Sequence, residues 1–251
     1  MNTICNFQDI DIYLLYFLNI KTILQLATIS KDQNKLISAL DFIKQIILLK
    51  QKYVINSVNI INYASKNNYL ELIECVSKSI NEFKYDYRAI DKASKYGYVG
   101  VLDWFKNSKY KFKYSYHAID NASKYGYVEV LNWFKNSKNK FKYSSDAINM
   151  ASANGNIKVL EWFKNSIYKF KYDINAVNLA SEKGNVSVLD WFDQSPYEFK
   201  YNEYASLREN FAASNGHISV LEWFAQSAYE FKYDKDAIIE ASGNGARERL
   251  Q

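Results

Sequence analysis

One period organises most of this 251-residue chain. The dipeptide Ala-Ser recurs as Ala64-Ser65, Ala93-Ser94, Ala122-Ser123, Ala151-Ser152 and Ala180-Ser181, each 29 residues after the last, and the phase returns as Ala212-Ala213 and Ala241-Ser242. Glycine keeps step at Gly97, Gly126, Gly155, Gly184, Gly216 and Gly245, and tryptophan at Trp104, Trp133, Trp162, Trp191 and Trp223. Phe-Lys-Tyr closes the units at Phe83–Tyr85, Phe112–Tyr114, Phe141–Tyr143, Phe170–Tyr172, Phe199–Tyr201 and Phe231–Tyr233, and a three-residue insertion between Tyr201 and Ala212 lengthens one of them. Self-similarity at a period of about 20–50 residues marks an array in which each unit packs on its neighbours.

Each unit reads as helix, turn, helix. In AIDNASKYGYVEVLNWFKNS, Ala118, Ile119, Ala122 and Ser123 lie at i, i+1, i+4 and i+5, one face of a short helix whose small side chains permit close approach. Gly126 ends that helix, because glycine takes the left-handed conformation at least cost. Val128, Val130, Leu131, Trp133 and Phe134 then supply a second, bulkier apolar stripe. In the first unit Asn68 stands for the glycine, a workable exchange because Asn is the residue next most willing to adopt positive φ, and Cys75-Val76 stands for Trp-Phe. Neither helix is long enough to be stable alone, so neighbouring pairs must stack to hide their apolar faces. The tryptophans are expected in that core, where Trp133→Ala would cost about 3–5 kcal/mol.

Composition agrees with an all-α fold. A single proline, Pro196, and eight glycines leave few helix breakers, while 48% hydrophobic and 17% aromatic residues exclude a disordered chain. Cys5 and Cys75 are too few for a disulfide framework or a zinc ligand set, and are read as buried thiols in a reducing compartment. The apolar run Ile10–Ile20 contains Asp11 and Asn19 and is too short to span a bilayer, so neither export nor a membrane partner is expected. A net charge of +5 without a polybasic run gives only weak attraction to nucleic acid.

The unit resembles the ankyrin repeat: Ala-Ser, then Gly, then Val-Leu-x-Trp-Phe matches the family's Ala-Ala-x-x-Gly-His followed by a Val/Leu-rich helix, and His217 keeps the family histidine after glycine. FKYDINAVNLASEKGNVSVLDWF is similar to the ankyrin-like proteins that amoeba-infecting giant viruses of the mimivirus type carry in many copies. The resemblance covers residues 53–245 and implies an ankyrin-type helix-turn-helix solenoid of six full units and a truncated seventh. The family's Thr-Pro-Leu-His start is replaced by His117-Ala118-Ile119-Asp120, and the period falls short of the usual value of about 33, so short or missing β-hairpin fingers are expected. The Leu-x-x-Leu-x-Leu signature of the leucine-rich repeat is absent.

Residues 1–50 form a separate N-terminal helical segment with apolar spacing in three short blocks. Two readings fit. One is a helical cap on the array; the other is an F-box, which the pattern Leu14-Leu15-x-Phe17-Leu18, a turn, then Ile23-Leu24-x-Leu26-Ala27-x-Ile29-Ser30 resembles. The F-box resemblance implies docking to the adaptor of a cullin-type ubiquitin ligase, with Ile12, Leu15, Leu18, Ile23 and Leu26 divided between the trihelical core and the adaptor contact. Residues near Phe7–Asp9 replace the usual Leu-Pro, and Gln33 stands where Trp is common. At the other end, residues 246–251 replace the expected apolar helix with a polar stub, either a cap or the scar of a shortened reading frame.

No nucleophile-base pair, metal-ligand set or phosphate loop is present, so an enzyme and a cofactor are not expected. His117 and His217 fill slots that other units give to ordinary residues, and read as surface or turn histidines. The function expected is non-covalent binding of a protein partner, implied by the resemblance to be a host protein in the host cytoplasm. Recognition falls on positions that vary within the fixed frame: Lys92, Asn121, Met150, Leu179 and Phe211 beside the small-residue stripe, and Lys95, Tyr96, Lys124, Tyr125, Asn154 and Lys183 before the glycines, which by the ankyrin resemblance face the concave side. Their mixed polar and aromatic character suits a protein ligand. The alternative is a basic row, Lys84, Lys113, Lys142, Lys171, Lys200 and Lys232 interleaved with tyrosines, that would follow a phosphate backbone; the simpler account packs Phe and Tyr into the inter-repeat turn and leaves Lys solvated.

Overall fold

A computed structural model of the chain describes residues 57–79, 83–201 and 217–229. Among them the backbone forms eleven helices and no strand, as the all-α reading requires. Ten of the helices come in pairs: α1 (Ser57–Lys66) and α2 (Leu70–Ser79), α3 (Tyr87–Lys95) and α4 (Val99–Asn107), α5 (His117–Lys124) and α6 (Val128–Asn136), α7 (Asp146–Ala153) and α8 (Ile157–Lys164), α9 (Asn175–Glu182) and α10 (Val186–Asp193). Helix α11 (Ile218–Gln226) repeats the second helix of a pair. The chain divides into one unit of residues 1–93 and 100–113 and another of residues 94–99 and 114–251.

In the second unit α7 packs against both α5 and α9, α8 against α6 and α10, and α10 against α11. First helices therefore neighbour first helices, and second helices neighbour second helices. The small-residue stripe makes this possible: Ala118, Ala122, Ser123, Ala147, Ala151, Ser152, Ala176, Ala180 and Ser181 are all buried. The bulkier stripe of the second helices buries Val130, Leu131 and Phe134, then Val159, Leu160 and Phe163, then Val188, Leu189 and Phe192. In the first unit α1 and α2 pack together on Ile61, Ala64, Leu72, Ile73 and Val76.

The turns behave as the glycine phase predicts. Gly97, Gly126, Gly155 and Gly184 have φ of 75°, 79°, 69° and 74°, and Asn68 takes φ 58° in glycine's place. A second constraint acts on the glycines from the next repeat. A Cβ on Gly126 would stand 2.9 Å from Oδ1 of Asn156, one on Gly155 3.0 Å from Oδ1 of Asn185, and one on Gly97 2.9 Å from the Tyr127 ring. Asn156 and Asn185 occupy the N-caps of α8 and α10 but their side chains make no capping hydrogen bond to their own helices. Their amides instead reach back one repeat: Asn156 Nδ2 donates to the carbonyls of Ser123 (3.1 Å) and Lys124 (2.7 Å), and Asn185 Nδ2 to Ser152 (3.4 Å) and Ala153 (2.9 Å). The Ser123 and Ser152 carbonyls also accept from the Gly126 and Gly155 N–H groups, while the Lys124 and Ala153 carbonyls at the ends of α5 and α7 take the asparagine amide as donor.

The expected core placement holds for Trp191 and only in part for Trp104, Trp133, Trp162 and Trp223, which are half-buried. The fully buried aromatic of each second helix is the neighbouring phenylalanine, Phe105, Phe134, Phe163, Phe192 and Phe224, whereas Trp133 and Trp162 are half-buried and Trp191 retains 9% exposure. Consecutive residues on a helix lie about 100° apart, so only one of the pair can point straight inward. The indole lies across the repeat boundary. Trp162 stacks on Phe141 at 5.6 Å, and Phe141 on Tyr168 at 3.9 Å; Phe170, Trp191 and Tyr197 repeat the group, as do Phe199, Trp223 and Tyr229. Each of these indole N–H groups donates to the residue before the tryptophan of the preceding repeat: Trp162 to Asn132 Oδ1 at 2.7 Å, Trp191 to Glu161, and Trp223 to Asp190 Oδ1 at 2.6 Å. The Phe-Lys-Tyr motif joins the same clasp, since the Tyr172 hydroxyl donates to the carbonyl of Glu198 at 2.8 Å and Tyr143 to that of Lys169.

One inter-repeat contact lies outside the sequence reading altogether. Asp120, Asn149 and Asn178 share a phase on the first helices and are buried. Asp120 accepts from the Ser144 N–H (3.0 Å) and hydroxyl (2.6 Å), and Asn149 Oδ1 accepts from the Asp173 N–H (3.3 Å). Burial raises the Asp120 carboxyl above its ordinary value, against the two Ser144 hydrogen bonds, which pull it down.

Candidate partner-binding surface

With glycine, alanine, phenylalanine, tryptophan and the buried Asp/Asn committed to the frame, the remaining positions on the first helices form the candidate surface. Asn121, Met150 and Leu179 stand at one phase of three successively packed helices, α5, α7 and α9, and are half-buried. Near the C-terminal ends of these helices lie Lys124 and Tyr125, then Asn154, then Lys183; Tyr125 is 44% exposed, and Asn154 and Lys183 are exposed. Lys95 and Tyr96 belong to the same unit and join this row, because Lys95 Nζ lies 5.6 Å from the centroids of both the Tyr96 and the Tyr125 rings. Lys124 Nζ lies 5.7 Å from the Tyr125 centroid.

Chemistry changes along the row. Its start is cationic and aromatic, and rings continue behind it where Tyr96 stacks on Tyr98 at 6.0 Å. Asn154 follows, its amide donating to the Met150 carbonyl at 2.7 Å. Lys183 comes last, and its charge is matched by Glu182 at 3.4 Å. Lys92 lies in the first unit, on the same helix face as Arg88, and burial followed by repulsion from Arg88 and Lys66 lowers its pKa. Phe211 and the adaptor-contact candidates Ile12, Leu15, Leu18, Ile23 and Leu26 lie outside the described residues.

A further outward row escaped the sequence reading. Tyr116, Ser145 and Ile174 precede α5, α7 and α9 at one phase; Tyr116 is 48% and Ile174 37% exposed. The signal was available in the sequence as a position whose identity changes at fixed phase beside the invariant alanines. His117, the first residue of α5, is exposed with its ring 4.2 Å from that of Tyr116, and His217 packs over Gly184.

The lysines of Phe-Lys-Tyr take a different role from a free basic row. Lys142 Nζ lies 4.8 Å from the Tyr114 ring centroid, Lys171 4.2 Å from Tyr143 and Lys200 4.9 Å from Tyr172, each reaching back one repeat. Among the described residues no group of three or more His, Cys, Asp and Glu side chains is placed to hold a metal ion, and no helix is long and apolar enough to cross a membrane. Neither a family model nor a curated protein matches this chain.

Proposed function

We propose that the chain is a non-catalytic, ankyrin-type binding scaffold that recognises a protein partner, in the giant-virus reading a host protein, through the outward rows of its first helices. The observation that carries this is the division of labour within each repeat. Residues constant from unit to unit are consumed by inter-repeat packing and hydrogen bonds, while the half-buried and exposed positions at fixed phase change from Tyr and Lys to Asn, Met, Leu and Ile. Such a surface, rich in tyrosine and mixed in polarity, has the composition of a protein interface. The F-box reading of residues 1–50 adds a bridging role, with the adaptor held at one end and a substrate on the array.

Affinity capture from amoeba lysate tests both parts with full-length chains. Met150→Glu with Leu179→Lys should abolish capture of array partners while leaving the far-ultraviolet circular dichroism unchanged, and retention of the same partners would contradict the scaffold reading. Leu15→Lys with Leu18→Lys should remove a cullin adaptor alone; an adaptor absent from every capture returns the N-terminal segment to a cap. Nucleic-acid binding through Lys142, Lys171 and Lys200 is the weaker reading, because these ammonium groups lie closer to tyrosine centroids, at 4.8, 4.2 and 4.9 Å, than Lys95 and Lys124 do, and Lys200 is also paired with Glu198 at 3.5 Å.

A further inference from the structure

The outward row is electrostatically lopsided. Among the described residues Lys183 is neutralised by Glu182, while Lys95 and Lys124 meet no carboxylate. Both ammonium groups approach the Tyr125 ring, at 5.6 and 5.7 Å from its centroid, and so lie within twice that distance of each other. Both stand at the C-terminal ends of helices, where the dipole holds a cation, and both are half-buried, so their stems are partly ordered before any partner arrives. Tyr125, which both approach, is the ring in the row left most open to solvent.

Resting on the scaffold reading above, we propose that this end of the row, Lys95, Tyr96, Lys124 and Tyr125, docks an acidic peptide segment of the partner, with two carboxylates on the two ammonium groups and the intervening backbone across Tyr125. A peptide fits better than a nucleic acid. Two cations release too few counterions to hold a phosphate backbone, and the row beyond them continues into neutral Asn154, Met150 and Leu179, which suit side chains of a folded or extended protein.

Isotope-labelled full-length protein titrated with a synthetic peptide of alternating Glu and Gly, with its Gln-Gly counterpart and with oligothymidylate, tests the proposal by nuclear magnetic resonance, which reads weak binding. The Glu-Gly peptide should shift the amides of Lys95, Tyr96, Lys124 and Tyr125, weaken with added salt, and lose at least about tenfold in affinity in the Lys95→Glu, Lys124→Glu protein. Equal shifts from the Gln-Gly peptide, shifts centred elsewhere, or an unchanged affinity in the double variant would overturn it. So would oligothymidylate binding more tightly than the peptide at these same lysines. If the acidic peptide fails while Met150→Glu with Leu179→Lys still abolishes partner capture, the scaffold reading survives and only the acidic character of its ligand is lost.

Discussion

The helix pair α1 and α2 and the pair α7 and α8 are built on the same pattern and differ in how they are fastened to a neighbour. Both keep the buried Ala-Ser step, Ala64-Ser65 and Ala151-Ser152, and both close the first helix with a residue at positive φ, Asn68 and Gly155. Even a small detail recurs: Asn67 Nδ2 donates to the Tyr63 carbonyl at 2.7 Å as Asn154 does to Met150. At the second helix they part. Helix α8 presents Trp162 and Phe163, and Glu161 beside them receives the indole N–H of Trp191. Helix α2 has Val76 where Phe163 stands, and Glu74, at the phase of Glu161, bonds Lys78 at 2.6 Å. Trp104, which would reach Glu74 by the rule of later repeats, makes no indole hydrogen bond and lines a shallow groove with Glu74, Lys78, Asn107, Lys109 and Tyr110. The ring group itself recurs here, with Phe83 4.3 Å from Tyr110 and 6.1 Å from Trp104 and the Tyr85 hydroxyl donating to the Lys111 carbonyl, so what distinguishes the later pairs is the indole hydrogen bond added to the clasp.

That distinction can be broken most sharply at Phe163. Phe163→Ala should cost about 3–5 kcal/mol in urea unfolding, with Trp162→Ala costing less because the indole is only half-buried; equal costs would undo the assignment of core to Phe and clasp to Trp. Asn156→Ala, which strips the side-chain donor from the Lys124 carbonyl and one of two donors from Ser123, should cost about 1–3 kcal/mol in the same melts. Gly155→Ala should cost about 1–2 kcal/mol from its left-handed backbone, and more if Asn185 cannot yield.

A pH experiment addresses the buried polar position. Because burial raises the Asp120 carboxyl, the folded state binds its proton more tightly than the unfolded chain does. Its stabilising contribution is complete below the ordinary value of 3.8 and is lost as pH rises through the raised folded value. Asp120→Asn, which copies Asn149, should therefore unfold at higher urea than the parent at pH 7.5 and show a smaller gain on acidification to pH 4.5; a parent more stable than the variant at neutral pH would reverse the sign. The smallest effect is expected from Lys78→Ala. Losing an exposed ion pair should change stability by less than about 1 kcal/mol, and release of Glu74 toward Trp104 should appear as a change in tryptophan fluorescence.

Much of this frame was legible in the sequence for a physical reason: helix period, small residues and positive-φ glycines are local properties, and a repeat prints them several times over. The Ala-Ser stripe, the Gly126 turn and the Asn68 exchange were read that way. Trp and Phe, adjacent and both large, carry no local mark of which one points straight inward, so the half-buried Trp133 and Trp162 were expected as deep as Phe134 and Phe163. Asn156 and Asn185 looked like departures from the ankyrin histidine, since their partners lie a repeat earlier in the chain. Asp120 and Asn149 were passed over because a polar residue on a helix reads as exposed until its cross-repeat donor is known. Of the outward rows, Asn121, Met150, Leu179, Lys124 and Tyr125 were legible from their variation at fixed phase, while Tyr116 and Ile174 stand just before their helices, where no helical apolar spacing marks a face.

Native-state hydrogen exchange of the full-length protein tests most directly the claim that the indole hydrogen bond of the clasp adds strength to the later helix pairs that α1 and α2 do not have. Amides of α7, α8, α9 and α10 should be protected more strongly than those of α1 and α2, and Trp191→Phe, which removes the bond to Glu161, should lower protection in α8 as well as in α10. Equal protection of α1 and α2 with α7 to α10, or loss confined to α10 in the variant, would contradict it.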